Sequence, residues 1–185
     1  MANNDILRSI RDALIIDDAT MIQIFKESGR EVGQSTITAL LKTEAEDGYI
    51  PCSDPILGFF LDGLIIHKRG KRDGASTPAA NPAARLTKNV IVKKLRIAMD
   101  LKEEDMISIL KTARIEITKN DLSALFRKEG NKHYKECSDP IFRGFMKGLA
   151  LRCSCCFLQM WNRYSSKQSM KGAGYGGFGA LLAGR

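Results

Sequence analysis

Cysteine and histidine are the residues of this sequence whose spacing first raises the question of catalysis. Cys52 and Cys137 stand in the same pentapeptide, CSDPI, which occurs twice. A cysteine nucleophile needs a base beside it. His133 lies four residues before Cys137, but the matching position before Cys52 is a glycine. We therefore interpret both cysteines as buried structural thiols.

A second group of cysteines raises the question of a metal site. Cys153, Cys155 and Cys156 form a Cys-x-Cys-Cys run, with no second cysteine pair or histidine cluster nearby. Structural zinc normally needs four ligands at suitable spacing, so we predict no metal site and no cofactor. Walker, dinucleotide-binding, GxSxG and HExxH motifs are also missing from the sequence. We predict that the protein is not an enzyme.

The elements that carry CSDPI form a tandem repeat. A shift of 85 positions aligns residues 4–66 with residues 89–151 without a gap, and about a third of the positions are identical. Apolar residues in both copies follow the spacing of one helix face, and no long segment alternates with period two. We predict an all-α fold of two tandem four-helix units in a pseudo-symmetric repeat, with an irregular C-terminal tail.

We expect the CSDPI pentapeptide to begin the fourth helix of each unit. Its serine can cap free N–H groups, its aspartate suits the positive helix end, and its proline fits the first turn. Gly63 and Gly148 recur inside this helix, where glycine costs about 1 kcal/mol relative to alanine. Their recurrence indicates close helix packing. The residues of this repeated motif are Cys52, Ser53, Asp54, Pro55, Cys137, Ser138, Asp139 and Pro140.

Other polar residues also recur or stand where helices begin. We expect Asp17 to cap the second helix and Thr118 to form a capping box with Asp121. Recurring polar residues could form either a duplicated binding site or duplicated internal ion pairs and caps, and we favour the second interpretation. The recurring pairs are Arg11/Arg96, Glu31/Glu116, Glu44/Glu129 and Asp54/Asp139.

Charge is distributed unevenly along the chain, whose formal net charge is +8. We predict a first helical repeat unit (1–67, net −6), a basic flexible linker (68–88, +5), a second helical repeat unit (89–151, +4) and a Gly/Cys-rich tail (152–185, +5). Three interpretations of the tail stay open. They are a metal site, an aromatic Gly-rich RNA-binding segment, and a frameshift that would make the tail non-native or disordered.

The second and third helices of each unit have the order of a helix-turn-helix, whose second helix would enter the major groove of DNA. The first unit is acidic, which opposes phosphate binding, so the second unit is the better candidate. The basic linker could also contact phosphates. The candidate nucleic-acid contacts are Lys119, Arg127, Lys128, Lys132, Lys68, Arg69, Lys71 and Arg72.

The paired units, NDILRSIR…CSDPILGFFLDGLIIHKRGK and NVIVKKLRIA…CSDPIFRGFMKGLA, resemble the YehS-like family of small bacterial cytosolic proteins. The resemblance covers residues 3–152. It implies two copies of a domain of unknown function, with no known enzyme activity, cofactor or site. The family pattern ends soon after GLALR, so the tail departs from it.

From the residues and the resemblance together we expect a cytoplasmic protein without a signal peptide or a membrane span. Our leading functional hypothesis is a non-enzymatic protein-binding or scaffold module with an unknown protein partner. The alternative is a DNA- or RNA-binding regulator that uses the helix-turn-helix-like elements of the second unit and the basic linker.

Overall fold

The structure, a computed structural model, describes residues 1–70 and 86–153. These two ranges contain eight α-helices and no strand, four helices in each repeat, which confirms the predicted all-α tandem fold. The helices are α1 (Asn3–Leu14), α2 (Asp18–Glu27), α3 (Gln34–Leu41), α4 (Asp54–Arg69), α5 (Lys88–Ala98), α6 (Glu103–Thr112), α7 (Lys119–Leu125) and α8 (residues 139–153).

One hydrophobic core runs through both repeats. Met1–Cys153 form a single compact unit, and α4 of the first repeat packs against α5 of the second. The apolar stripes predicted from helical spacing face this core; Leu7, Ile10 and Leu95, for example, are completely buried. Neither four-helix repeat is large. In the shared core, each repeat buries apolar surface against the other that it could not bury alone.

The recurring glycines lie where two helix backbones touch. A methyl group on Gly63 of α4 would lie 1.9 Å from the carbonyl oxygen of Ile24 in α2. A methyl group on Gly148 of α8 would lie 2.1 Å from the carbonyl oxygen of Ile109 in α6. Only a residue without Cβ fits at this separation. The close packing predicted from the two glycines is therefore confirmed in both repeats.

A buried asparagine fastens the first helix of each repeat to the segment before the fourth. The amide of Asn4 donates to the carbonyl oxygens of Leu40 (2.8 Å) and Ile50 (2.9 Å), and its oxygen accepts from the N–H of Cys52 (2.8 Å). Tyr49 donates its hydroxyl to the same oxygen. All four hydrogen-bonding positions of this buried amide are thus occupied.

The second repeat contains the same clamp. Asn89 donates to the carbonyl oxygens of Leu125 and Lys135, each at 2.8 Å, and accepts from the N–H of Cys137 at 2.8 Å. Asn89 lies 85 positions after Asn4. The sequence prediction did not single out either asparagine, although the two are identical and stand beside the apolar stripe of the first helix.

The CSDPI pentapeptides begin the fourth helices as predicted, but the Ser53 hydroxyl does not act as expected. Ser53 occupies the cap position of α4 and its side chain makes no capping hydrogen bond. The aspartates that follow are instead tied to the first helix of their own repeat. Asp54 accepts from the Asn3 amide at 2.7 Å, and Asp139 pairs with Lys88 at 2.8 Å. Lys88 is the counterpart of Asn3. Both repeats therefore contain this contact, as an amide hydrogen bond in the first and an ion pair in the second.

Two other predicted caps are present. Asp17 accepts from the backbone N–H of Thr20 at 2.7 Å, at the start of α2. Thr118 accepts from the backbone N–H of Asp121 at 3.1 Å and donates its hydroxyl to the Asp121 carboxylate at 2.6 Å.

The junction between the repeats differs from the predicted linker boundary. Lys68 and Arg69, expected in the flexible linker, form the end of α4. Arg69 is held there because its guanidinium donates to the Ile97 carbonyl oxygen (3.1 Å) and to Asp100 (2.7 Å) of the second repeat.

Several predictions fall on residues that the structure does not describe. Lys71 and Arg72 of the linker, and the tail interpretations that involve residues 154–185, lie outside the described ranges. Among the helices of the described ranges, none is long and apolar enough to cross a membrane.

Candidate functional site

The candidate nucleic-acid contacts of the second repeat lie on α7 and the loop after it. Lys119 is the first residue of α7, and Arg127, Lys128 and Lys132 follow its end. All four are exposed, and none makes a side-chain hydrogen bond or ion pair within the described part of the chain. We call these four residues the basic surface.

The matching loop of the first repeat, residues 42–48, is acidic and bonded to itself. Glu46 accepts from both the backbone N–H and the hydroxyl of Thr43, each at 2.6 Å. These hydrogen bonds hold the pKa of Glu46 below its usual value. Lys42, the counterpart of Arg127, donates to the carbonyl oxygen of Asp47 at 2.5 Å. Its cation is therefore already engaged within the loop.

A polar network joins three helices of the first repeat. The carboxylate of Asp18 in α2 pairs with Arg11 of α1 at 3.0 Å. The same carboxylate accepts from the Gln34 amide of α3 at 2.7 Å. Asp18 thus links α1, α2 and α3 at the protein surface.

The second repeat has a groove at the corresponding place. Its volume is about 250 Å³, and its lining residues are Arg96, Glu103, Leu122, Ser123, Phe126 and Arg127. Glu103 and Lys119 take the positions of Asp18 and Gln34, but they do not bond to each other or to Arg96. We call this feature the second-repeat groove.

Arg96 is directed elsewhere because Phe126 replaces the leucine of the first repeat. The Arg96 guanidinium carbon lies 4.8 Å from the centre of the Phe126 ring, and its Nε donates to the Leu101 carbonyl oxygen at 3.1 Å. The favoured interpretation of Arg11/Arg96 as a duplicated ion pair is therefore wrong, since only Arg11 forms one. The recurring glutamates, Glu31/Glu116 and Glu44/Glu129, are exposed.

The described residues give little support for a cysteine nucleophile or a metal site. Cys52 and Cys137 are buried as predicted, and burial raises the pKa of Cys52 to about 12 and that of Cys137 to about 11. Both thiols are therefore protonated at neutral pH, the form that is a poor nucleophile. The described residues also contain no group of three or more His, Cys, Asp or Glu side chains placed to hold a metal ion.

Comparison with known proteins identifies the family. The model of the family described as "Protein of unknown function (DUF1456)" matches the chain twice, over residues 3–70 and 88–153. The chain belongs to this family. The curated protein YehS of Escherichia coli (strain K12), described as uncharacterized, is 38% identical over 152 residues, which are 82% of this chain and 96% of the relative. The resemblance seen in the sequence is thus confirmed. No solved structure matches the chain significantly.

Membership of the DUF1456 family places the two structural repeats on its two matches. The Asn89 clamp, the basic surface and the second-repeat groove all fall within the second match. Residues 71–87 and 154–185 fall outside both matches. The family description assigns no activity, so function must be argued from the residues themselves.

Proposed function

We propose that this DUF1456 protein is a non-enzymatic nucleic-acid-binding module whose second repeat carries the binding surface. The observation that carries the proposal is the basic surface, four exposed cations without a partner among the described residues. The same loop of the first repeat is acidic and internally bonded. Exposed cations that need not break existing ion pairs are suited to replacing the counterions of a phosphate backbone.

The sequence favours a protein partner over nucleic acid. The exposed apolar residues of the structure bear on this preference. Only five large hydrophobic residues of the described ranges are exposed: Met1, Ile15, Ile50, Ile97 and Leu151. A stable protein interface usually has a buried apolar centre. The basic surface is the more specific feature, so nucleic acid becomes the leading proposal. An acidic protein partner is the second candidate, because carboxylates could pair with the same four cations.

The proposal is tested by the salt dependence of binding. We expect the protein to bind a fluorescein-labelled duplex DNA or RNA of 20 base pairs at 50 mM NaCl, measured by anisotropy. If all four cations contact phosphates of duplex DNA, log Kobs falls with log salt with a slope of about −3.6. Binding that is absent at 50 mM NaCl would overturn the proposal.

A matched pair of variants separates the basic surface from general positive charge. Lys119, Arg127, Lys128 and Lys132 are changed together to Gln in the first variant. In the second, four exposed lysines elsewhere in the same repeat are changed to Gln: Lys93, Lys102, Lys111 and Lys147. Both variants lose four positive charges. We expect at least a tenfold loss of affinity in the first and less than a threefold loss in the second. Equal losses would contradict a localised surface.

A nuclease control distinguishes the second candidate. Protein purified from its native cells is divided, and one half is treated with nuclease before size-exclusion chromatography. Under the proposal, nuclease removes the material absorbing at 260 nm and shifts the protein to its own elution volume. An unchanged complex with an acidic protein after nuclease treatment would favour the second candidate instead.

A further inference from the structure

The second-repeat groove is lined by a carboxylate and a cation that are available to bind a ligand. In the first repeat the matching carboxylate of Asp18 is occupied by Arg11 and Gln34. In the second repeat Glu103 has no such partner within the described residues, and Arg127 on the same groove forms no ion pair with it. An acceptor and a cation therefore line one groove without neutralising each other.

The groove also contains a flat surface in a fixed position. The Arg96 guanidinium is held by its bond to the Leu101 carbonyl oxygen and by its stacking against Phe126. Guanidinium planes and aromatic rings are the surfaces on which unstacked nucleic-acid bases are bound. Because Arg96 is already oriented, a base stacked on it would require little further ordering of the side chain.

We propose that the second-repeat groove binds one guanine nucleotide unit, a proposal that rests on the proposed nucleic-acid function. The base stacks on the Arg96 plane, Glu103 accepts from its Watson–Crick edge, and Arg127 pairs with its phosphate. The volume of about 250 Å³ is smaller than the roughly 300–1,000 Å³ of pockets for drug-sized ligands, which suits a single base.

The carboxylate of Glu103 determines which base is preferred. The Watson–Crick edge of guanine presents two adjacent N–H donors, which match the two oxygens of a carboxylate. Uracil presents one donor between two carbonyl oxygens, which a carboxylate repels. A site that hydrogen-bonds one base edge discriminates against a poor match by about 1–3 kcal/mol. Guanine is therefore expected over uracil, and a base in an unpaired strand over one in a duplex.

The experiment compares two single-stranded RNAs of 12 nucleotides, oligouridylate and the same strand with one central guanosine. We expect the guanosine strand to bind the full-length protein about tenfold more tightly, by anisotropy at fixed salt. Glu103→Gln should reduce that preference below twofold. Asp18→Asn, at the matching position of the first repeat, removes the same charge and should leave the preference unchanged. Arg96→Lys keeps its charge but removes the plane, and should also lower the preference.

Each outcome has a separate meaning. Guanosine monophosphate is added as a competitor to distinguish the source of the nucleotide. If it competes as well as the strand, the groove binds a free nucleotide; if it competes weakly, the groove binds a base within a strand. Equal binding of the two strands by the unmodified protein would overturn the groove proposal while leaving the nucleic-acid function intact. Absence of binding to every strand and duplex would overturn both.

Discussion

In the first repeat Asp18 accepts hydrogen bonds from Arg11 and Gln34, whereas in the second repeat the matching Glu103 accepts from neither counterpart. Inside the repeats the opposite holds, because Asn4 and Asn89 make the same bonds to the same backbone positions. Burial explains the difference. A buried amide that loses a partner destabilises the fold, while a surface carboxylate can be solvated instead.

The recurring glycines provide the largest expected effect, and it should be the same in both repeats. Gly63→Ala and Gly148→Ala would each force a methyl group against a backbone carbonyl oxygen of the facing helix. We expect each to lower the free energy of unfolding by about 3 kcal/mol, measured by urea denaturation. Gly58→Ala in α4 is the control, because a methyl group there meets nothing within 4 Å and should stabilise the helix by up to about 1 kcal/mol.

A large difference between the two glycine variants would break the equivalence of the repeat interiors. A Gly63→Ala protein as stable as the Gly58→Ala control would instead contradict the close helix contact, since the helices would then be free to move apart.

The asparagine clamps should be nearly as important. Asn4→Ala and Asn89→Ala each leave one buried carbonyl oxygen, one partly buried carbonyl oxygen and one buried N–H without a partner. We expect a loss of about 2 kcal/mol in the free energy of unfolding for each variant. The loss should be slightly greater for Asn4, which also accepts from the Tyr49 hydroxyl.

The exposed Asn120 supplies the control for this prediction, because Asn120→Ala should change stability by less than about 0.5 kcal/mol. Clamp variants as stable as this control would show that the buried amides are not needed.

Two ion pairs join the repeats, and we expect the more buried pair to contribute more to the free energy of unfolding. Asp62 of α4 and Lys94 of α5 pair at 2.5 Å, with side chains 15% and 22% exposed. Asp62→Asn should cost about 1 kcal/mol in thermal and urea unfolding. Asp100→Asn removes the other pair, with Arg69, whose side chains are 80% and 44% exposed, and should cost less than about 0.5 kcal/mol. A greater effect at Asp100 would reverse our view of which pair joins the repeats.

The smallest expected effect lies at the end of the first helix of each repeat. Ile15 and its counterpart Asp100 both adopt the left-handed conformation, with φ of 53° and 51°. A β-branched residue is poorly suited to this conformation, and the Ile15 side chain is mostly exposed. Relief of about 1–2 kcal/mol of strain, less the entropy cost of glycine, predicts that Ile15→Gly stabilises the protein by about 0.5 kcal/mol. Asp100→Gly should gain less, since aspartate tolerates this conformation and the substitution also removes the ion pair with Arg69. A destabilised Ile15→Gly protein would contradict the strain argument.

Local sequence patterns predicted the scaffold well. The helical spacing of apolar residues located the core, because that spacing depends on residues near one another in the sequence. The recurrence of a glycine inside the fourth helix, where glycine is unfavourable, indicated the close helix contacts. The clamp was missed because it joins Asn4 to positions 36 to 48 residues away. The available signal was an asparagine at the same position of both repeats, three residues before the buried Leu7 in the first and the buried Val92 in the second.

The surface could not be predicted in the same way. Arg11 and Arg96 recur, yet Arg96 turns towards Phe126 because that position holds an aromatic ring only in the second repeat. The fate of one side chain therefore depends on a residue that differs 30 positions away. The prediction that the Ser53 hydroxyl caps α4 was wrong for a related reason. The position of a residue in the sequence does not fix the rotamer of its side chain. The interpretations of the tail after residue 153 stay predictions.

Amide hydrogen exchange with and without a bound 12-nucleotide RNA tests most directly whether the two repeats differ in function. Measured by mass spectrometry on the full chain, it reports both repeats in one experiment. We predict added protection in residues 119–132 and none in the matching residues 34–47. Protection of residues 34–47 alone, or equally in both segments, would contradict the assignment of the binding surface to the second repeat.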